Sequence, residues 1–269
     1  MRKGRMDKVE KRVILDERRY IVEQLMKHKR SEEWEVLEEV FDRPTLLNLY
    51  QLLNRKVITK IHGAIKAGKE SRIYWGERSK GEEVAIKIYL TISSEFKKGM
   101  LNYILGDPRF PKVKRDTRSL VQLWAKKEFK NLSSAYKAGV RVPRPLTVSG
   151  NILIMEFIGS KGSPAPLLKE TSESEIEMEK FYKRILGLVY TLYNKAELVH
   201  ADLSEYNVMI WRGKPVLIDF SQSVHREHPS AEVYLRRDLE NINRFFKKRG
   251  VETEDIEELS RWVMGNREE

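Results

Sequence analysis

The sequence predicts an α+β fold with two lobes, and three observations support this. Short apolar runs typical of strands dominate residues 56–157, and longer helical patterns dominate the chain after residue 163. The 269 residues are enough for one large domain or two medium ones, each with its own core. A content of 41% hydrophobic and 34% charged residues allows a packed core but is too charged for a membrane protein.

Composition excludes several classes of protein. The chain has no cysteine, which excludes a disulfide scaffold, a thiolate metal site and a cysteine nucleophile. Its longest apolar runs, such as residues 152–155, have the length of a strand, whereas a membrane span needs about 20 residues. We recognise no targeting segment, so we expect a cytoplasmic protein that does not contact a membrane.

The first 55 residues are predicted to form a small helical region. Apolar residues recur at helical spacing near 13–26 and near 34–41, and a third helical pattern follows Pro44. This region precedes the first of the two predicted lobes.

Residues 56–158 are predicted to form the first lobe, which is rich in strands. Near 91–118 the chain is highly charged and contains glycine and proline, which indicates an insertion that is partly loop. A helix is predicted over 119–137. The predicted strands are Val57 to Thr59, Arg72 to Trp75, Val84 to Tyr89, and Asn151 to Phe157.

Residues 159–269 are predicted to form the second, mainly helical lobe. Helical patterns cover 173–196, the region near 230–248 and residues 253–263, and short strands are predicted at 208–211 and 216–218. Two lobes joined near residues 157–163 would leave a cleft between them, and ligand sites favour such clefts.

The strongest functional signal is the segment HADLSEYN at residues 200–207. It matches the pattern H-x-D-L-x-x-x-N of a kinase catalytic loop. In that chemistry an aspartate orients the attacking hydroxyl and accepts its proton, while an amide oxygen farther along the loop reaches a magnesium ion on the phosphates. Asp202 and Asn207 have this spacing. We assign His200 a structural role, because Asp202 fits the position of the base better.

Three further residues complete an ATP site in the expected chain order. Asp219 ends the apolar run VLID at 216–219, where a carboxylate can hold magnesium across the phosphates. Lys87 ends the run VAIK, which matches the strand that supplies a phosphate-binding lysine. Glu128 is the only carboxylate of the helix predicted over 119–137, so we expect it to pair with Lys87.

At these residues the sequence resembles the RIO family of atypical protein kinases, over roughly residues 40–250. We find no winged-helix domain, which favours the branch named first in this family, in its archaeal form. The resemblance implies a two-lobed, protein-kinase-like fold with an antiparallel sheet in the N-terminal lobe. The segments that carry it are GKES at 68–71, MEFI at 155–158, HADLSEYN at 200–207 and IDFSQSV at 218–224.

The resemblance implies a role for each candidate residue. Asp202 would be the catalytic aspartate, and Asn207 and Asp219 would bind Mg²⁺, with Mn²⁺ as an alternative metal. Asp219 would also be a transient phosphoryl acceptor, so that it counts as a catalytic residue. The residues that would bind ATP are Lys87 with its partner Glu128, Lys69 and Ser71 of the phosphate loop, and Met155, Glu156 and Ile158 of the hinge.

The phosphate loop departs from the family pattern. RIO loops usually read STGKEANV, whereas this chain reads KAGKESRI from Lys66 onward. Lys69 and Glu70 are retained, two hydroxyls are lost, and Arg72 replaces an asparagine, so Lys66 or Arg72 could supply charge to the phosphates instead. The helical pattern resumes by Ala231, which leaves little room for an activation loop.

Two basic segments suggest a polyanionic partner. Residues 1–30 carry a net charge of +6 and residues 97–130 a net charge of +7, within a total of +11. The family resemblance implies action in maturation of the small ribosomal subunit, so the expected partners are the rRNA and proteins of its precursor. We therefore predict a Mg-ATP-dependent atypical serine/threonine protein kinase, an ATPase, or both.

Two alternatives stay open. A small-molecule kinase of the aminoglycoside or choline type also carries an H-x-D-x-x-x-x-N loop and a strand ending in Ile-Asp-Phe, although SEY at 204–206 and SQS at 221–223 favour the RIO family. A ribosome- or RNA-binding scaffold regulated by ATP is the other alternative. Binding alone does not need a catalytic base, so the presence of Asp202 argues against a pure scaffold.

Overall fold

The fold is taken from a computed structural model. It describes Leu37 and residues 40–90, 99–111, 113–114, 116–172 and 177–265. The helix predicted near 13–26, most of the helix predicted near 34–41 and part of the insertion predicted near 91–118 lie outside these residues. The domain boundaries predicted at residues 55 and 158 stay predictions.

An antiparallel sheet of five strands forms the N-terminal lobe, in the order β1-β2-β3-β5-β4. The strands are β1 Lys60–Ala67, β2 Ser71–Glu77, β3 Glu83–Tyr89, β4 Pro145–Ser149 and β5 Ile152–Glu156. Side chains alternate between the two faces of a strand, so Ile86 and Ile88 of β3 share one face while Lys87 and Tyr89 share the other. The second face looks toward the other lobe.

A helix covers each face of this sheet. Helix α1, Arg43–Asn54, begins after Asp42, whose carboxylate accepts a hydrogen bond of 3.0 Å from the Thr45 backbone N–H. Leu49 of α1 is fully buried in the same core as Ile86. Helix α2, Thr117–Lys137, lies on the opposite face, where its Trp124 shares a core with Tyr89.

The C-terminal lobe is mainly helical. Its helices are α3 Met178–Asn194, α4 Ala231–Lys247 and α5 Ile256–Met264. Its paired strands are β6 Gly159–Ser160 with β7 Ser163–Pro164, β8 Leu198–Val199 with β11 Val224–His225, and β9 Val208–Trp211 with β10 Lys214–Leu217. The core of this lobe includes Leu132 and Ala135 of α2, so α2 contributes to the cores of both lobes.

The predicted α+β fold with two lobes is confirmed, but the first sheet strands differ from the prediction. The strand predicted at Val57 to Thr59 is wrong, because this segment closes the end of α1: the Val57 N–H donates to the Leu52 carbonyl at 3.0 Å. Neither β1 nor β4 is among the predicted strands, and these two form the edges of the sheet. No helix in the described part of the chain is long and apolar enough to cross a membrane.

We expect α1 to be part of the stabilising core of the N-terminal lobe. Leu49→Ala removes fully buried methyl groups and should lower the free energy of unfolding by about 2–5 kcal/mol. Leu53→Ala is the matched control, because Leu53 lies on the same helix but is only partly buried. Urea unfolding of both variants tests this, and equal losses would contradict the packing described.

Candidate active site

Lys87 of β3 lies at the centre of the polar groups between the lobes. Its side chain is only 4% exposed, and its Nζ donates to Glu128 Oε1 at 2.9 Å and to Asp219 Oδ1 at 2.9 Å. Glu128 lies on α2 and Asp219 follows β10. The lysine therefore joins the sheet, the helix and the C-terminal lobe, and the predicted pairing of Lys87 with Glu128 is present.

Burial and neighbouring charges act against each other in this cluster. Burial lowers the pKa of Lys87, but Asp219 and Glu128 outweigh it and hold this pKa above its ordinary value. Burial raises the pKa of Glu128 to about 7, although Lys87 opposes the rise. For Asp219, burial is outweighed by Lys87 and by the Ser221 hydroxyl, so its pKa lies well below its ordinary value. Lys87 and Asp219 are therefore both charged at neutral pH.

Asp219 is held in an unusual backbone conformation. Its φ is 62°, in the left-handed region that non-glycine residues rarely adopt. Ser221 Oγ donates to Asp219 Oδ1 at 2.8 Å, on the same oxygen that Lys87 contacts. The side chain is still 38% exposed. Such strained residues cluster at functional sites, and here the strain presents a carboxylate oxygen to the cleft.

Asp202 and Asn207 lie together in the C-terminal lobe, where Asn207 lines the cleft between the lobes and Asp202 does not. Asn207 Nδ2 donates to the Asp202 carbonyl at 2.8 Å and to Asp202 Oδ2 at 3.1 Å. Burial raises the pKa of Asp202, and the charge of Asp219 adds to this, while Asn207 and Arg237 oppose it. A carboxylate with a raised pKa is a better proton acceptor, which suits the predicted role of Asp202.

Asp238 of α4 holds the backbone of the predicted catalytic loop, residues 200–207. Its buried carboxylate accepts hydrogen bonds from the Ala201 N–H at 2.7 Å and from the Leu203 N–H at 2.8 Å. Burial raises the pKa of Asp238 to about 8, and these two amides oppose the rise. Ala201 itself has a φ of 65°. Asp238 could not be predicted from the sequence, because no local pattern connects it with a loop some 35 residues earlier.

His200 connects the catalytic loop to the strand before Asp219. Its Nε2 lies 3.0 Å from the Ile218 carbonyl, and its ring meets Phe220 edge to face. Burial lowers the pKa of His200 to about 4, so the ring is neutral and Nε2–H donates to that carbonyl. This buried position fits the structural role predicted for His200.

A second set of contacts attaches α2 to the segment after Asp219. Lys127 is fully buried, and its Nζ donates to the backbone carbonyls of Ser221, at 3.1 Å, and Ser223. Asn131 Nδ2 donates to the carbonyls of Phe220, at 2.8 Å, and Ser223, at 2.9 Å. Burial lowers the pKa of Lys127 well below its ordinary value, and the Arg109 charge adds to this. Lys127 was counted in the basic segment predicted at 97–130, but it does not reach the surface.

A cleft of about 400 Å³ lies between the two lobes. Of the hinge residues, Ile158 accepts a hydrogen bond of 2.9 Å at its carbonyl from the Ala165 N–H. Its own N–H has no partner in the described part of the chain and is available to a ligand. The predicted site residues that line the cleft are Lys87, Glu128, Met155, Glu156, Ile158, Asn207 and Asp219.

The phosphate loop lies at the edge of this cleft. Lys69 and Ser71 do not line it, so their predicted contacts with ATP stay predictions. Glu70, to which we gave no role, lies close enough for Asp219 to raise its pKa further, after the larger effect of burial. Of the two cations considered as replacements, Lys66 lines the cleft. Arg72 instead shares a face of β2 with Tyr74 and is hydrogen bonded to it.

Asp219 and Asn207 fit a magnesium ion. Asp219 supplies an ionised carboxylate. Asn207 directs its Nδ2 to Asp202, and its amide oxygen accepts no hydrogen bond from the described residues. Mg²⁺ is commonly bound by one or two carboxylates together with water and substrate phosphates. These two side chains would hold the ion against the phosphates of a nucleotide.

The antiparallel sheet, the helical lobe and the lysine–glutamate–aspartate cluster between them define a protein of the kinase-like fold class. Residues 72–259 match the RIO domain family. The chain therefore belongs to the RIO family, as its motifs predicted.

Archaeal relatives match over most of the chain. The RIO-type serine/threonine-protein kinase Rio1 of Methanocaldococcus jannaschii is 38% identical over 250 residues, which cover 93% of this chain and 84% of that protein.

The serine/threonine-protein kinase RIO1 of Homo sapiens is 38% identical over 229 residues, covering 84% of this chain and 40% of that protein. The chain thus spans about 40% of the length of this relative and of the Dictyostelium discoideum rio1.

A solved structure supports the fold. The Rio2 kinase of Chaetomium thermophilum, in a complex with ADP, Mg²⁺ and phosphoaspartate, is 26% identical and superposes with a TM-score of 0.61. The match covers 81% of this chain and 66% of that one. The predicted kinase-like fold is thereby confirmed.

We expect Asp238→Asn to disable the catalytic loop without unfolding the protein. The amide presents an NH₂ to one of the two backbone N–H groups, so Ala201 and Leu203 cannot both be held. A misplacement of about 1 Å at a reacting group can cost about 10²-fold in rate. Phosphoryl transfer from ATP should fall by about that factor, whereas the same change at the exposed helix cap Asp255 should leave it intact.

We expect His200 to make folding pH-dependent. The pKa of His200 is about 4 in the folded protein and 6.5 in the unfolded chain. The unfolded chain therefore binds a proton at a higher pH than the folded protein does. The stability that neutral His200 contributes is complete above pH 6.5 and falls as the pH drops toward 4. The difference between 6.5 and 4 corresponds to about 3 kcal/mol. His200→Gln can donate without titrating and should lose less stability over this range in urea unfolding. An equal loss would contradict the assignment.

Proposed function

We propose that this protein is a Mg-ATP-dependent atypical serine/threonine protein kinase that also hydrolyses ATP. The observation that carries the proposal is the buried Lys87, bonded to both Glu128 and Asp219 in a cleft that Asn207 also lines. Asp202 is hydrogen bonded to Asn207 and lies close enough for the charge of Asp219 to raise its pKa. Structural ion pairs occur in many folds, but here they adjoin a base with a raised pKa.

Each residue has a distinct part in the transfer. Lys87 contacts the phosphates, and Glu128 keeps its ammonium in place. Asp219 and Asn207 would hold Mg²⁺, which would neutralise charge on the phosphate oxygens. Asp202 accepts the proton of the attacking hydroxyl while the new O–P bond forms, and the γ-phosphate separates from ADP as the bridging oxygen takes the electron pair.

Asp219 offers a second acceptor for the phosphoryl group. Lys87 and Ser221 contact its Oδ1, whereas Oδ2 has no hydrogen bond within the described residues. Attack by Oδ2 on the γ-phosphorus would release ADP and leave an acyl phosphate. Hydrolysis of that bond by water then restores the Asp219 carboxylate and yields inorganic phosphate, so the net reaction is ATP hydrolysis. The phosphoaspartate in the Chaetomium thermophilum Rio2 complex supports this branch.

We also propose that the protein works on precursors of the small ribosomal subunit, which would place it in the cytoplasm. The family resemblance supports this, as does the exposure of Lys126 and Lys130 in the basic segment at 97–130. Association with small-subunit precursors in lysate should depend on ATP. A complete absence of such association would overturn this part of the proposal and leave the chemistry untouched.

Intact-mass spectrometry after incubation with Mg-ATP separates the two acceptors. A phosphate removed by hydroxylamine and absent in Asp219→Asn would show an acyl phosphate and an ATPase cycle. A hydroxylamine-resistant phosphate absent in Asp202→Ala would show serine or threonine phosphorylation.

Asp116→Asn is the control for the mass experiment, because it removes a carboxylate from an exposed helix cap far from the cleft. It should behave as the wild type does. No added mass and no ATP consumption in the wild type would contradict the proposal and favour the small-molecule kinase or the scaffold.

A further inference from the structure

A second pocket adjoins the nucleotide cleft at the hinge. Its volume is about 630 Å³, within the range of about 300–1,000 Å³ usual for ligand sites. The end of α2, the loop that leads to β4 and the β9–β10 hairpin form its walls. Glu156 and Ile158 of the hinge line both this pocket and the nucleotide cleft. The other residues that line this pocket are not among the site residues predicted from the sequence.

The lining combines positive charge with aromatic rings. Arg141, Arg212 and Lys214 are set against a single carboxylate, that of Glu156. Tyr136, at the end of α2, is 48% exposed, which is unusual for a large aromatic side chain in this structure. Trp211 also lines the pocket, and the Arg212 guanidinium lies 5.4 Å from its ring centre.

Hydrogen bonds hold the walls in place. The Arg141 guanidinium donates to the Trp211 carbonyl at 3.0 Å, and the Arg141 carbonyl accepts from the Leu217 N–H at 2.9 Å. On the other side of the hairpin, Arg184 donates to the Gly213 carbonyl at 3.1 Å. The buried Nε of Arg141 has no partner among the described residues. The pocket is thus a fixed, cationic surface that retains donor capacity.

We propose that this pocket binds a nucleotide unit of single-stranded RNA. Arg141, Arg212 and Lys214 would contact the phosphates, and Tyr136 and Trp211 would offer rings on which a base stacks. Sites for single strands combine these two features, a positively charged groove and aromatic platforms. An acidic peptide could satisfy the cations but would leave the rings without a stacking partner. The inference deepens the proposed action on ribosomal precursors and rests on it for its biological setting, though not for its chemistry.

The hairpin offers a variant that removes charge without damaging the fold. Arg212 and Gly213 form its two-residue turn, with φ values of 52° and 67°, between the paired residues Trp211 and Lys214. Asparagine is favoured over most residues in a turn with two positive φ values, so Arg212→Asn should fold at least as well as the wild type. Lys80→Asn is the matched control, because Lys80 is an exposed cation with a φ of 66° in the other lobe.

Fluorescence anisotropy with a labelled ten-nucleotide poly-U RNA, over a series of salt concentrations, tests the proposal. For single strands each phosphate contact contributes about 0.7 to the slope of log K against log salt. Arg212→Asn should weaken binding and reduce the slope by about 0.7, while Lys80→Asn leaves both unchanged. Tyr136→Ala should weaken binding about tenfold with the slope retained, because stacking carries no charge.

Three results would overturn the inference. They are equal effects of Arg212→Asn and Lys80→Asn, no effect of Tyr136→Ala, and equally tight binding of a ten-residue polyglutamate peptide. Phosphoryl transfer from ATP, measured on the same preparations, distinguishes this inference from the proposed function. RNA binding that depends on Arg212 and Tyr136 in a protein that transfers no phosphate would contradict the proposed function and leave the pocket assignment standing.

Discussion

The ammonium of Lys87 is the constraint on which the rest of the structure depends. Burying a charge carries a desolvation cost of several kcal/mol, and losing a partner leaves that cost uncompensated. Its two partners are 41 and 132 residues away along the chain, on a helix and beyond a strand of the other lobe. The sheet, α2 and the end of β10 must therefore meet at one point, which is also where a nucleotide's phosphates would lie.

Helix α2 carries much of this organisation. Glu128 contacts the lysine, while Lys127 and Asn131 contact the backbone that follows Asp219. The same helix contributes apolar residues to the cores of both lobes. Its position is thus set by packing as well as by charge, and Asp219 takes its orientation from a rigid element. No loop has to become ordered before Asp219 takes this orientation.

Features that depend on local spacing could be predicted from the sequence, whereas features that depend on contacts between distant segments could not. Asp202, Asn207 and Asp219 could be predicted as site residues because a loop and a strand end fix their spacing locally. Asp238 was missed because its contacts depend on the packing of α4 beneath the loop. The strands β1 and β4 were missed for a related reason: an edge strand is buried less, so charge, glycine and proline interrupt its apolar pattern. The second pocket at the hinge combines cations that are far apart in the sequence, so no single segment predicts it.

The attachment of residues 220–223 to α2 has a consequence for inhibitor chemistry. Some ligands of kinase-like folds depend on an aromatic residue after the metal-binding aspartate leaving its place to open an adjoining cavity. Here Phe220 is fully buried. Asn131 donates hydrogen bonds to the carbonyls of Phe220 and Ser223. Lys127 donates to the carbonyls of Ser221 and Ser223. If the backbone of residues 220–223 moved with the ring, four hydrogen bonds to buried carbonyls would be lost. A compound that must displace this ring would bear that cost, whereas one that binds only at the hinge would not.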